Sequence, residues 1–264
     1  MISINKQREN KMHTASVKKR KRLIKTLSII AVIAITVTVF CSIYVNDYYR
    51  TDKIAVEAFD AGGHVKMYSP KEGVTVIEAE GSSTGFIFYP GGKVEYTSYI
   101  PLMKACAARG ITCIITEMPF NLAVLNVDAA KEIRASHPDI ETWYIGGHSL
   151  GGSMAASHVA GNITDYEGLI LLGSYSTADL SDESVKVLSI YGSEDEVLNR
   201  EKYAKYKQNL PQNTVEFIIE GGCHAGFGMY GAQDGDGIPT ITSEEQILIT
   251  ADIIENFIFN DTNT

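Results

Sequence analysis

The chain changes character twice along its length. The first 25 residues are polar and strongly basic, residues 26–46 contain no charge at all, and from about residue 54 short apolar runs alternate with segments of helical spacing. The runs at 74–78, 85–89, 112–116, 143–146, 169–173, 185–191 and 215–219 read as strands. Several are apolar without interruption, as expected where both faces of a sheet are covered. Helices fit between them at 99–108, 127–135, 149–159 and 244–259. The first has Pro101 in its first turn and Gly110 just past its end. The last is opened by Ser243 with Gln246 three residues on, a capping-box spacing. Along it Ile247, Ala251, Ile254 and Ile258 form a row that Ile253 and Phe257 widen, a face suited to docking on a sheet. Strand and helix in alternation predict an α/β fold with a mostly parallel central sheet and helices on both faces.

The uncharged stretch has a different logic. Its 21 residues span roughly 31 Å as a helix, the thickness of a bilayer's hydrocarbon core. A cleaved signal peptide would end in small residues, whereas this segment ends Phe40-Cys41-Ser42-Ile43-Tyr44. It reads as an uncleaved signal anchor. Charge then sets the orientation. The whole chain carries −9, but residues 1–25 hold nine basic residues against one acid, so the remainder carries −17. Basic residues stay on the cytoplasmic side, which predicts a single-pass protein of the cell membrane with a cytoplasmic N-terminus and its globular part outside. The expected organisation is a basic segment at 1–25, a transmembrane anchor at 26–46, a polar stalk at 47–53 and one domain at 54–264. Tyr44, Tyr48 and Tyr49 suit the outer interface. An acidic body argues against nucleic acid as a partner. Cys106, Cys113 and Cys223 read as buried thiols, with a Cys106 to Cys113 disulfide as the minority reading.

The sharpest chemical signal is Gly147-His148-Ser149-Leu150-Gly151, a G-x-S-x-G placed where an apolar strand ends and a helix of small residues begins. Such a turn holds its serine in a strained backbone conformation, and side chains two residues to either side would collide. A serine nucleophile needs a base. Of six histidines, His13 precedes the membrane span, His64 precedes the central strands and His137 sits beside Pro138. His148 adjoins the serine but projects elsewhere, and His158 is out of phase with it on the following helix. His224 remains, on a glycine-flanked loop directly after the last apolar strand, where an open α/β sheet presents its ligand-facing groups. The orienting acid belongs between serine and histidine in chain order. Asp195, after the strand ending at Tyr191-Gly192, takes that role, with Glu194 and Glu196 as neighbouring alternatives.

The blocks Phe88-Tyr89-Pro90-Gly91-Gly92-Lys93, Gly146-Gly147-His148-Ser149-Leu150-Gly151-Gly152, Ser189-Ile190-Tyr191-Gly192-Ser193-Glu194-Asp195 and Gly221-Gly222-Cys223-His224-Ala225 together resemble the α/β-hydrolases, in particular the small lidless group related to dienelactone hydrolases. The resemblance covers nearly all of residues 85–259. It implies Ser149, His224 and Asp195 as nucleophile, base and acid, and an oxyanion hole from the N–H groups of Leu150 and Gly92, with Gly91 as the alternative to Gly92. Dienelactone hydrolases use a cysteine nucleophile where this chain has Ser149, so the dienelactone substrate does not carry over. Only about a dozen residues separate the strands near 173 and 185, too few for a cap. An open site for short or exposed acyl esters follows, with no metal and no organic cofactor. Gln233-Asp234-Gly235-Asp236-Gly237 begins like a calcium loop but lacks the later acidic ligand, and reads as a turn near the site. The rival readings are a catalytically silent, membrane-tethered binding module and a peptidase or acyltransferase with the same triad.

Overall fold

The computed structural model describes residues 2–63 and 65–260, and among these the side chains of all but 2–11, 13–17 and 19. It divides into two units, Met1–Asp47 and Tyr48–Thr264. The first is one helix, α1 (Ile2–Asn46). Within α1 the 27 residues Arg20–Asn46, about 40 Å of helix, are long and apolar enough to cross a membrane, and none of their most apolar window is buried. Between residues 26 and 46 the apolar side chains point all round the helix rather than to one face.

The second unit is built on an eight-stranded sheet. Seven strands coincide with the apolar runs: β2 (Val74–Glu78), β3 (Thr84–Tyr89), β4 (Thr112–Thr116), β5 (Thr142–His148), β6 (Gly168–Leu172), β7 (Lys186–Gly192) and β8 (Val215–Ile219). The eighth, β1 (Lys66–Lys71), has all six residues exposed and contains Pro70, so it carries none of the apolar signal that betrays the others. Its place at the sheet edge tolerates a proline. The order is β1-β2-β4-β3-β5-β6-β7-β8, antiparallel for β1–β2 and β2–β4 and parallel from β4 to β8. All the parallel strands therefore deliver their carboxyl ends to one edge of the sheet.

Two apolar layers cover the sheet. On one side α3 (Ile100–Ala107) and α7 (Ser243–Phe259) pack through Leu102, Met103, Ile247, Ala251 and Ile254. On the other, α4 (Ala129–Ala135) and α5 (Leu150–Ala160) contribute Ala130, Ile133, Ala155, Ala156 and Val159. Two short helices escape the apolar pattern, α2 (Lys53–Ala58) and α6 (Arg200–Tyr206), each started by an N-cap side chain, Asp52 and Asn199. Residues 173–185 hold no helix or strand, so the connection from β6 to β7 carries no cap domain.

Three expectations need correction. The capping box of α7 is formed by Thr242 and Glu245, one residue earlier than Ser243 and Gln246. Both pairs satisfy the spacing, but Gln246 is buried and used elsewhere. Residues 47–53 are not a free stalk from Tyr49 onward: Tyr49 N–H donates to Lys93 O at 2.8 Å and Asp52 N–H to Met229 O at 2.9 Å. Tyr49 is likewise not available as an interfacial anchor, because its ring packs on Tyr230 and its hydroxyl accepts from Asp234 N–H at 3.0 Å. Cys106, Cys113 and Cys223 are buried free thiols, with no disulfide between Cys106 and Cys113.

Candidate active site

Three loops at the carboxyl edge bring the sequence-selected residues together. Ser149 follows β5 directly and starts α5. Its backbone sits at φ 52 and ψ −121, a conformation that costs a non-glycine residue about 1–3 kcal/mol. The surroundings hold it there: Ser149 N–H donates to Leu172 O at 2.9 Å, and its carbonyl accepts from Ser153 N–H at 3.2 Å and from Ser174 Oγ at 2.7 Å. A side chain at Gly147 or Gly151 would run into the backbone carbonyl of Tyr89, the collision that the glycine spacing avoids. Ser149 is half-buried, and its Oγ makes no hydrogen bond among the described residues.

Asp195 lies in the loop after β7 with its side chain fully buried. One carboxylate oxygen accepts from the N–H groups of Val197 and Leu198 at 3.1 and 2.8 Å, while the other is 2.9 Å from His224 Nδ1. A carboxylate can only accept, so Nδ1 carries the imidazole proton and Nε2 presents its lone pair. Nε2 is buried and has no hydrogen-bond partner. Gly173, at φ 51, makes room for the pair: a Cβ there would stand 2.9 Å from His224 Nδ1. Ser149, His224, Leu150, Gly173 and Leu198 line one hollow of about 250 Å³. A larger hollow of about 610 Å³, between β1, β2 and residues 132–140, contains none of these groups. Lys71 and Glu132 stand 2.6 Å apart in its lining.

The two glycines after β3 differ in what their N–H groups meet. Gly91 N–H is taken by the Tyr99 hydroxyl at 3.2 Å. Gly92 lies against the Leu150 side chain, and neither Gly92 N–H nor Leu150 N–H has a partner among the described residues. Glu194 turns away from the histidine, its Oε1 accepting from Ser193 Oγ at 2.9 Å.

The other histidines have structural roles. His158 bridges Asp128 and Tyr166 at 2.9 and 3.0 Å, and His137 Nδ1 is 2.8 Å from Ile133 O. His148 does not project away from the site as expected. Its buried ring lies 4.3 Å from that of His224, with Nδ1 2.8 Å from the Tyr99 hydroxyl. Burial first, and then the neighbouring His224, hold its imidazole well below the ordinary histidine value, so it stays neutral. His64 and the side chain of His13 lie outside the described residues. Cys223, beside His224, is no competing nucleophile, since burial pushes its thiol up to about 11.

Two supports were not legible as such. Asp236, in the turn with the calcium-like opening, accepts from His224 N–H at 3.2 Å and from Ala225 N–H at 2.8 Å, so its carboxylate fastens the histidine loop. Gln246, on α7, clasps the backbone of Cys223 from both sides at 3.0 and 2.8 Å. A glutamine on the apolar face of a helix was the available sign for the second.

Residues 85–248 match the sequence pattern described as Alpha/beta hydrolase family. No curated protein matches the chain. Among solved structures, a CIB-like hydrolase of Thermoplasma acidophilum superposes with a TM-score of 0.53 at 16% identity, over 74% of this chain and 100% of its own. The esterase domain of a Rhodothermus marinus protein gives 0.53 at 11% identity, over 73% and 98%. A fungal esterase from Rhizomucor miehei gives 0.53 at 15% identity, over 78% and 86%. At these identities the likeness is one of fold.

Proposed function

Since the chain belongs to the Alpha/beta hydrolase family, we propose that it is a serine hydrolase, a carboxylesterase for short or exposed acyl esters, held at the cell membrane by residues 26–46 with its catalytic unit outside. The observation that carries the reading is the Asp195–His224 pair: its geometry leaves an unpartnered Nε2 in the same hollow as the strained Ser149. His224 takes the Ser149 proton as Oγ attacks the ester carbonyl. Asp195 holds the correct tautomer and stabilises the imidazolium that forms. The N–H groups of Gly92 and Leu150 receive the oxyanion, a contribution typically worth about a hundredfold or more in kcat for one donor. Collapse of the tetrahedral intermediate expels the alcohol, protonated by His224. Water then attacks the acyl-enzyme by the same route in reverse, releasing the acid.

The lack of any helix or strand in residues 173–185 supports an open site, and the resemblance of the sequence blocks to the lidless dienelactone-related group supports the same reading. The length and even apolar surface of Arg20–Asn46 support the anchor, and the basic residues before it support a cytoplasmic N-terminus. The test is hydrolysis of p-nitrophenyl esters of graded acyl length by the full chain in detergent micelles. Turnover highest for the short esters and abolished by Ser149→Ala is expected. No turnover of any ester by the native protein would favour the binding-module reading instead.

A further inference from the structure

The chain leaves α1 at Asn46, and only Asp47 and Tyr48 separate that residue from Tyr49, which is already fixed in the domain. Those few peptide units reach about 10 Å at full extension. Tyr49 is fixed at one particular place. It bridges to Val94, just beyond Gly92, and its hydroxyl is held by Asp234, on the loop that follows His224. Thr51 N–H donates to Glu95, and Asp52 N–H to Met229. The covalent tether therefore joins the domain at the carboxyl edge of the sheet, between the loop of the proposed oxyanion donor and the loop of the proposed base.

The same edge carries a group of strongly exposed apolar side chains. Within residues 48–260, six of the described large apolar side chains are more than half exposed, and five of them, Ile54, Phe120, Val124, Leu125 and Ile238, lie on segments bordering this edge. Residues 120–125 follow β4 and are tied to the tether through Lys93, whose N–H donates to Asn121 O and whose carbonyl accepts from Tyr49. Ile238 follows Gly237, which abuts Glu194 beside Asp195, and Ile54 is two residues past Asp52. The sixth, Ile218, is on the edge strand β8. Apolar side chains around a short tether form an interfacial surface of the kind that enters the headgroup layer.

We infer that the catalytic edge lies against the outer bilayer surface, and that the substrate is an acyl ester of a membrane-resident lipid whose scissile carbonyl is presented at headgroup level. The inference rests on residues 26–46 being a membrane anchor and on the proposed esterase site. It specifies the source of the ester and explains an exposed apolar rim on an enzyme without a cap.

The experiment uses the full chain with Cys41→Ser in vesicles of phosphatidylcholine and phosphatidylglycerol. Single cysteines at Phe120→Cys, Leu125→Cys and Ile238→Cys, and at Glu141→Cys on the opposite edge, are labelled with bimane; Cys106, Cys113 and Cys223 are buried and do not compete. Quenching by nitroxide lipids at the three rim positions but not at Glu141→Cys is expected. In parallel, a Gly/Ser spacer of about 20 residues inserted after Asn46 has a root-mean-square length of about 25 Å. It should lower hydrolysis of a vesicle-borne lipid ester roughly fivefold through the loss of effective concentration and leave water-soluble p-nitrophenyl acetate turnover unchanged. A protein that floats with the vesicles while its rim is quenched no more than Glu141→Cys overturns this inference and leaves the anchor and the hydrolase standing. An undiminished lipid-ester rate in the spacer variant overturns the substrate assignment. A protein that does not float with vesicles overturns the anchor and this inference together, and absence of turnover on both esters overturns the hydrolase reading.

Discussion

The Tyr99 hydroxyl stands between Gly91 N–H at 3.2 Å and His148 Nδ1 at 2.8 Å, fully buried beneath the loop that presents Gly92. A side chain at Gly91 would stand 2.7 Å from that hydroxyl, so the loop rests directly on it. Tyr99→Phe keeps the ring and removes the support. A buried donor then loses its partner, at a cost of about 1–3 kcal/mol. Freed of that bond, Gly91 N–H no longer fixes the orientation of the next peptide, so kcat for p-nitrophenyl acetate should fall roughly tenfold with KM nearly unchanged. Steady-state kinetics checks this split. His148 sets a second expectation. Its folded-state value is depressed by burial, so its contribution to stability is complete above the unfolded histidine value of about 6.5 and is lost as pH falls below it, at up to about 1.4 kcal/mol per pH unit. His158, also depressed by burial, acts in the same direction. Thermal midpoints should drop between pH 7 and pH 5, and the drop should be smaller in His148→Asn; an equal drop would remove His148 from this role.

At the scale of elements, α7 does more than cover the sheet. Its Gln246 side chain is the buried clasp on Cys223, the residue preceding His224, and a Cβ at Gly226 would collide with it. Gln246→Ala leaves a buried N–H and C=O unpaired, a loss of about 2 kcal/mol or more in urea unfolding, and frees the histidine loop from the helix. Esterase kcat should fall with it, and Gln246→Glu, which keeps the acceptor for Cys223 N–H, should recover part of the activity. Most elements were legible because burial on both faces writes a strand as an unbroken apolar run, as in Phe86-Ile87-Phe88 and Leu169-Ile170-Leu171. β1 was not, because an exposed edge strand buries no apolar face and is held to β2 by its backbone ladder and the exposed Lys66–Glu78 pair. The capping box shifted by one residue because two overlapping pairs fit the spacing and only tertiary packing chose between them. The meeting of Ser149, Asp195 and His224 at one edge was legible because strained turns and strand-end loops constrain local sequence. Tyr99 and Asp236 were not, since their roles arise from hydrogen bonds between segments distant in the chain.

For the molecule as a whole, the net charge of −9 belongs to neither unit: a basic first segment precedes an apolar helix, and an acidic α/β-hydrolase unit begins at Tyr48. That boundary matters, because Tyr49, Thr51 and Asp52 are bonded into the catalytic edge and a soluble fragment should retain them. Fold, family and the meeting of three loops at one edge are features of this unit; the nucleophile is the claim on which the account turns. It is tested most directly by treating the full chain with a fluorophosphonate and locating the adduct by peptide mass spectrometry. The account predicts a single adduct on Ser149, lost in Ser149→Ala and strongly reduced in His224→Asn. Labelling that persists in Ser149→Ala, or an adduct on any other serine, would contradict it.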